Sequence, residues 1–341
     1  MSIPSCRLLR LTSLLAILLL SSAVARAQHD GGTVGGGTIG GGSTKPAPKP
    51  VAKPANKAAG TPSTTTTTPR KRTTPAATST RPAARPSVPR TSPADTYLAQ
   101  GDALYDAKNY NEALQSYLKA TQLNPSHAQA HYRIGWIYNE LGQYQPAIDS
   151  LTRTLALQSN NAAAHAELGY AYRKMKRWDQ ALASYRQAVS IQADYALAYY
   201  DMGWIHNELR NYDDAIHNLK QAIRIKPDYA DARTEYAYAL HKIGRQTESI
   251  EEYRESIRLK PDMASSHLGL GDVYYSTRQY GMAVNAYTAG VRLDPNNADG
   301  RYNLALSHHA LNNRSAALEQ YRILQRLDPD RATRLFNTIY R

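Results

Sequence analysis

The cysteine and histidine side chains, which most often perform nucleophilic or metal chemistry, form no recognisable cluster in this sequence. The chain has one cysteine, Cys6, and ten histidines. His308 and His309 are adjacent, so on a helix they point about 100° apart, which is poor geometry for a shared metal ion. The sequence contains no nucleophile elbow and no His-Glu-x-x-His motif, and its glycine-rich run 31–42 is read as a linker and not as a phosphate loop, because no predicted strand precedes it and no predicted helix follows it. We therefore expect no catalytic residue, no cofactor and no metal site, and an enzyme is the least favoured of three functional classes.

Aromatic residues recur at one fixed interval in the middle of the chain. Trp136, Tyr170, Trp204 and Tyr238 are each 34 residues from the previous one. A charged residue follows each of them four positions later, which is one turn further along the same face of a helix. A fixed period of this length is typical of a solenoid protein, which is built from stacked structural repeats.

The same interval governs residues 94–331, which divide into seven units of 34 residues without a gap. Each unit has a small residue, a second small residue twelve positions later and a large residue four positions after that. Five of the units also have a proline near the end. The first small residue is Gly101, Gly135, Gly169, Gly203, Ala237, Gly271 or Ala305, and the prolines are Pro125, Pro227, Pro261, Pro295 and Pro329.

Each unit reads as two helices separated by a polar turn. In the second unit, His131, Ile134 and Tyr138 lie on one face of the first helix, and the turn contains Gly142 and Gln143. His131 and the bulky residues at the equivalent position of the other units are expected to pack between helices and not to take part in catalysis or metal binding. Small residues allow two helices to cross closely, and we expect the proline to end the second helix. A single helix pair cannot bury both of its faces, so each unit needs its neighbours.

These glycine, alanine, aromatic and proline columns resemble the tetratricopeptide repeat. The resemblance implies an all-α fold, a right-handed superhelix of seven helix-turn-helix units with a capping helix at its end. The units are 94–127, 128–161, 162–195, 196–229, 230–263, 264–297 and 298–331, and the capping helix is 332–341.

The last ten residues carry an apolar stripe that supports the capping role. Leu335, Phe336, Ile339 and Tyr340 fall on one face of a helix. The end of a solenoid exposes a hydrophobic face unless it is covered, so this helix is expected to cover the seventh unit. A dimerisation helix is the alternative interpretation.

The resemblance also implies where a ligand binds, because the first helices of tetratricopeptide units line a concave groove. Aromatic, amide and charged residues on those helices are the candidates. We expect the ligand-binding groove to contain Tyr132, Trp136, Asn139, Glu140, Tyr170, Arg173, Lys174, Tyr200, Trp204, Asn207, Glu208, Tyr238 and Lys242.

The groove candidates alternate with a period of two units. Units two and four share Gly-Trp-Ile-x-Asn-Glu-Leu, at 135–141 and 203–209, whereas units three and five combine a tyrosine with Lys174 or Lys242. Three interpretations are open: a binding surface, ion pairs between the glutamates and the lysines of stacked units, or the trace of an old duplication. Surface ion pairs would contribute little to stability.

The amino terminus has the features of an export signal. Arg7 and Arg10 precede the apolar run 11–20, and Ala25-Arg26-Ala27 forms a small-x-small cleavage pattern. We expect cleavage before Gln28, with an uncleaved anchor as the alternative. The mature chain would then lack cysteine and a membrane span. We expect it to be periplasmic or extracellular, and an exported protein without disulfides favours a bacterial envelope.

Residues 28–93 are a low-complexity linker, first rich in glycine and then in Pro, Thr, Lys and Arg, and are expected to be disordered. The formal charge of +13 lies largely there, because residues 43–93 contain ten basic residues and no acidic one. Such a segment can bind nucleic acid, anionic lipid headgroups or anionic wall polymers. The export signal favours the envelope partners over nucleic acid.

The leading functional hypothesis is a non-catalytic protein–protein scaffold of the cell envelope that holds an extended peptide in its groove. The alternative is a carbohydrate-binding module that guides an envelope polysaccharide or the cell wall, with Trp136 and Trp204 as the main contacts. The Lys and Asn residues with which tetratricopeptide proteins grip chaperone carboxyl termini are missing. The corresponding positions hold Leu98, Asp102, Arg133, Ala163 and Glu167.

Overall fold

The computed structural model describes residues 92–340 of the chain. The predicted signal segment, 1–27, and the predicted linker up to residue 91 lie outside the described residues. Within 92–340 the chain forms fifteen α-helices and no strand. In chain order they are α1 Pro93–Asp106, α2 Tyr110–Leu123, α3 Ala128–Glu140, α4 Tyr144–Leu157, α5 Ala162–Lys174, α6 Trp178–Ile191, α7 Ala196–Glu208, α8 Tyr212–Ile225, α9 Ala230–Lys242, α10 Gln246–Leu259, α11 Ala264–Ser276, α12 Tyr280–Leu293, α13 Ala298–Ala310, α14 Arg314–Leu327 and α15 Pro329–Tyr340.

Helices α1 to α14 form seven antiparallel pairs, one pair in each repeat unit, and each second helix also packs on the first helix of the following unit. From the second unit to the seventh, the first helices of adjacent units contact one another as well. The first helices therefore lie closer together than the second helices and form the inner surface of the array. The predicted right-handed superhelix of seven units is confirmed.

The column of small residues marks the place where the two helices of a unit cross. A Cβ atom added to Gly203 would lie 2.5 Å from Cγ of Leu219, and one added to Gly169 would lie 2.9 Å from the ring of Tyr185. Leu219 and Tyr185 belong to the large-residue column sixteen positions later, and both are buried. The paired columns of the sequence thus correspond to one close packing contact in each unit.

The second helices end at equivalent residues whether or not a proline follows. Helix α4 ends at Leu157 and α6 at Ile191, although Ser159 and Ala193 occupy the proline position in those units. The expectation that the proline ends the second helix is therefore incomplete. Pro329 follows the end of α14 at Leu327 in the same way and is also the first residue of α15, a position that a proline tolerates because its nitrogen needs no helical partner.

In five units, the bulky residue four positions before the small residue forms a hydrogen bond with the turn that connects the unit to the preceding one. In three units a histidine Nε2 lies 3.0 Å from the carbonyl oxygen six residues earlier, and in two others an arginine donates to it. These carbonyls follow the end of a second helix and have no partner within it. The histidine pairs are His131–Pro125, His165–Ser159 and His267–Pro261, and the arginine pairs are Arg233–Pro227 and Arg301–Pro295.

Both ends of the array have defined terminal structures. Ser92 and Asp95 form a capping box with Pro93 as the first helical residue. At the other end Leu335 and Ile339 of α15 are buried against the seventh unit, so the capping role is confirmed.

Candidate ligand-binding surface

Aromatic side chains meet in pairs at successive unit boundaries along the array. Each pair joins the first helix of one unit to the start of the second helix of the preceding unit. The ring centroids are 6.5 Å apart for Tyr144 and Tyr170, 6.0 Å for Trp178 and Trp204, and 6.3 Å for Tyr212 and Tyr238. All six side chains are partly exposed. We name these six residues the aromatic strip.

Half of the aromatic strip lies outside the set of residues expected from the sequence. Tyr144, Trp178 and Tyr212 are the first residues of second helices, and they recur every 34 residues like the candidates on the first helices. The 34-residue spacing of these three aromatic residues is thus a sequence signal for them. The family resemblance points away from them, because it implies that only the first helices of the array reach the ligand.

Cationic side chains lie over the rings of the strip. Nζ of Lys174 is 5.4 Å from the ring centroid of Tyr170, and Nζ of Lys242 is 5.0 Å from that of Tyr238. The guanidinium carbon of Arg173 lies 4.9 Å from the ring centroid of Trp204 and 5.4 Å from that of Tyr170. Cations are attracted to the negative faces of aromatic rings at such distances. The two lysines thus interact with the tyrosines one turn before them.

The environment of the strip shifts the pKa of two of its tyrosines and of two neighbouring charged side chains. Burial raises the pKa of Tyr170 and of Tyr238 to about 12. Burial and the neighbouring Arg173 lower the pKa of Lys174, and burial raises the pKa of Glu208. Tyr170 and Tyr238 therefore present a neutral hydroxyl group and a ring surface to a ligand at neutral pH.

Two aromatic candidates of the first helices are not available to a ligand. The side chain of Trp136 is 3% exposed and that of Tyr132 is 7% exposed. The ring of Tyr105, from the preceding unit, lies 4.2 Å from that of Trp136, and the guanidinium of Arg133 lies 5.5 Å from it. Burial thus leaves Trp136 and Tyr132 little surface to present to a ligand, and the expectation that they bind one finds no support in their exposure. Tyr200 is partly exposed and packs on Tyr229 at 5.0 Å.

The two asparagine candidates join repeat units instead of facing a ligand. Asn139 is 3% exposed and donates to the carbonyl oxygen of Glu167 at 3.0 Å and to its Oε2 at 2.9 Å. Asn207 is 4% exposed and makes the same two bonds to Glu235, at 3.1 and 2.9 Å. The following unit therefore occupies the donor groups that were expected to bind a ligand.

Arg173 has a similar position between units. Its Nε lies 3.5 Å from Oδ1 of the buried Asp201 on the next first helix. This ion pair holds the guanidinium between the rings of Tyr170 and Trp204. Arg173 is thus a support of the aromatic strip, with limited access to a ligand.

Four of the predicted charged residues remain on the surface. Glu140, Lys174, Glu208 and Lys242 are exposed, and each is the fifth residue after the small residue of its unit. They lie one turn beyond the inner aromatic residues, on the same face of their helices. The structure thus separates the thirteen candidates into a buried set, which joins the units, and a surface set, which a ligand can reach.

Four family models of tetratricopeptide repeats match the chain, at residues 101–138 and 271–312, 128–161, 161–228 and 200–264. Together they cover more than half of its 341 residues. This chain is a tetratricopeptide repeat protein. Proteins of this class are typically scaffolds for protein–protein interaction. No curated protein matches the sequence of this tetratricopeptide protein significantly.

Solved structures share the fold. PilW, described as a type IV pilus biogenesis factor, is 21% identical over 61% of this chain and 98% of its own, with a TM-score of 0.56. The protein pilF of Pseudomonas aeruginosa is 22% identical over 59% of this chain and 92% of its own, with a TM-score of 0.54. A structure of the Cut9–Hcn1 hetero-tetramer matches 72% of this chain and 49% of its own at 17% identity, with a TM-score of 0.59. At these identities the likeness concerns the fold alone.

Residues 92–340 contain neither a cluster of metal-ligating side chains nor a helix suited to span a membrane. No group of three or more His, Cys, Asp or Glu side chains in this range is placed to hold a metal ion. None of the helices in the same range has the length and apolar character that crossing a membrane requires.

Proposed function

We propose that this tetratricopeptide protein is a non-catalytic scaffold that holds an extended segment of a partner protein against the aromatic strip. The observation that carries the proposal is the strip itself, three partly exposed aromatic pairs at three successive unit boundaries. Aromatic side chains are enriched among the residues that contribute most to protein interfaces. A ligand that contacts all three pairs must extend along the array.

An extended peptide fits this surface better than a sugar chain. The carbohydrate alternative relied on the stacking of sugar rings on Trp136 and Trp204. Trp136 is covered by Tyr105, and the guanidinium of Arg173 lies over Trp204. The surface that remains consists of inclined ring pairs and charged side chains, which suit alternating apolar and charged residues of a peptide.

The proposed place of action is the cell envelope. The support is the sequence of residues 1–27, with its basic start, apolar run and Ala25-Arg26-Ala27 pattern. In this proposal the basic segment 43–93 contacts anionic envelope polymers or lipid headgroups, through its ten cations. Mass spectrometry of the protein from fractionated source cells tests the location. The expected result is an amino terminus at Gln28 in the periplasmic or extracellular fraction, and an intact chain in the cytoplasm would contradict it.

Affinity capture tests the scaffold function. The tagged full chain should recover a partner from an extract of the source cells, and Tyr170→Ala/Tyr238→Ala should reduce that recovery about tenfold or more, since central aromatic contacts dominate interfaces. The control is Phe336→Ala/Tyr340→Ala, which removes two exposed aromatic side chains from α15. Circular dichroism establishes that each variant is folded. Equal recovery by all three proteins would overturn the proposal.

A further inference from the structure

The surface of the array contains the same arrangement of four residues twice, two units apart. The first subsite consists of Glu140, Tyr144, Tyr170 and Lys174, and the second consists of Glu208, Tyr212, Tyr238 and Lys242. In both, the tyrosine rings are almost perpendicular, at 71° and 72°, with centroids 6.5 and 6.3 Å apart. The lysine lies above the second tyrosine in both, at 5.4 and 5.0 Å.

The support beneath each subsite is duplicated as well. An asparagine of the first unit donates to the carbonyl oxygen and the carboxylate of a glutamate in the next unit, as Asn139–Glu167 and as Asn207–Glu235. The boundary between the two subsites differs, because Trp178 and Trp204 form its aromatic pair. From unit two to unit five the surface therefore repeats every two units, although the fold repeats every unit.

The outermost side chains of the two subsites form one row of alternating charge. Glu140, Lys174, Glu208 and Lys242 are exposed and occupy the same position of four successive first helices. The charge is negative, positive, negative and positive along the array. Charge arranged in this way favours one partner and one register, because a shift by a single unit brings like charges together.

We propose that this charge row recognises an extended peptide whose own basic and acidic residues alternate in step with it. This inference rests on the scaffold function proposed above and specifies the partner's chemistry. A basic residue of the partner pairs with Glu140 and with Glu208, and an acidic residue pairs with Lys174 and with Lys242. Apolar residues between them lie on the aromatic strip.

Elementary geometry gives the spacing of the partner's charges. Packed helices lie about 8–10 Å apart, and an extended chain advances about 3.3 Å per residue. One repeat unit therefore corresponds to about three residues of the partner. The partner sequence is expected to alternate basic and acidic residues at about every third position, with a complete period of about six residues.

A display selection tests the charge pattern before the partner is identified. A library of random 16-residue peptides on phage is selected on the full chain and on two variants of it. Lys174→Glu/Lys242→Glu makes the row wholly acidic, and Glu140→Lys/Glu208→Lys makes it wholly basic. The wild-type chain should enrich peptides with alternating charge, the first variant should enrich basic residues at every third position, and the second should enrich acidic residues there.

Two controls isolate the charge row. The basic segment 43–93 is identical in all of the proteins, so the acidic peptides that it attracts are a common background. Lys260→Glu reverses an exposed charge at the end of a second helix, outside the row, and should select the same peptides as the wild type. A peptide selected on the wild type should bind Lys174→Glu/Lys242→Glu about tenfold or more weakly in fluorescence anisotropy, because two favourable contacts become repulsive.

The outcomes separate this inference from the scaffold function. Peptides without a charge period, or the same peptides on all three proteins, would overturn the charge-row inference. If those peptides still lost binding to Tyr170→Ala/Tyr238→Ala, the scaffold function would stand and only the inference would fail. Failure of the wild type to enrich any peptide over the Tyr170→Ala/Tyr238→Ala variant would contradict both.

Discussion

Asn207 donates one hydrogen bond to the backbone carbonyl of Glu235, at 3.1 Å, and a second to its carboxylate, at 2.9 Å. The two residues lie on the first helices of units four and five. Their bonds hold consecutive units in register directly beneath the second subsite. Asn139 and Glu167 do the same beneath the first. The two asparagines that precede Glu140 and Glu208 in the chain thus serve the stacking of the repeats.

Asn207→Ala should lower the free energy of unfolding by about 1–3 kcal/mol, because it leaves a partly buried carboxylate and a backbone carbonyl without their donor. Urea denaturation followed by circular dichroism measures the change. The control is Asn218→Ala, which removes an exposed side chain that donates to the carbonyl of Asp214 within its own helix. The control should stay within about 0.5 kcal/mol of the wild type. Equal effects would contradict the role of Asn207 between units.

Glu235 should make the stability of the array depend on pH. Burial raises the pKa of its carboxyl to about 7 from an ordinary value of 4.5, and the hydrogen bond from Asn207 only partly offsets this. A carboxyl whose folded pKa is raised favours folding when it is protonated. Its contribution is therefore complete below pH 4.5 and is lost as the pH rises through about 7.

The variant Glu235→Gln isolates this effect, since its amide does not titrate. Between about pH 4.5 and pH 7.5 the wild type should lose about 1–3 kcal/mol of unfolding free energy relative to the variant, and the difference should be constant at higher pH. Urea denaturation across this pH range measures both proteins. Parallel curves for the two proteins would show that Glu235 does not titrate there.

The fold could be predicted well from the sequence because it depends on contacts between positions that are close in the chain and recur in every unit. The pairing of Gly203 with Leu219 needs only two positions sixteen residues apart in one unit, and both recur seven times. The candidate site was predicted less well, because exposure depends on the register between units. Trp136 and Trp204 occupy equivalent positions, yet Tyr105 packs on the former and leaves it 3% exposed, whereas the latter stays partly exposed although Arg173 lies over its ring. This relation requires the superhelical geometry, which no single repeat contains.

The close crossing at Gly203 provides a test of the packing. Gly203→Val should destabilise the array by about 1–3 kcal/mol, because even the Cβ atom meets Leu219 at 2.5 Å. Gly281→Ala is the matched control, since nothing lies within 4 Å of a Cβ atom there. It should stabilise α12 by about 0.5–1 kcal/mol through helix propensity. Thermal unfolding of both variants measures the effects, and a neutral Gly203→Val would contradict the packing.

Site-specific photo-crosslinking tests the central claim most directly, namely that the aromatic strip contacts a partner protein. A photoreactive phenylalanine analogue is placed at position 170, at position 238 or, as a control, at position 336 on the exposed face of α15. After illumination in an extract of the source cells, positions 170 and 238 should both crosslink to the same protein, and position 336 should not. Crosslinks to a partner from position 336 alone, with none from 170 or 238, would contradict the account.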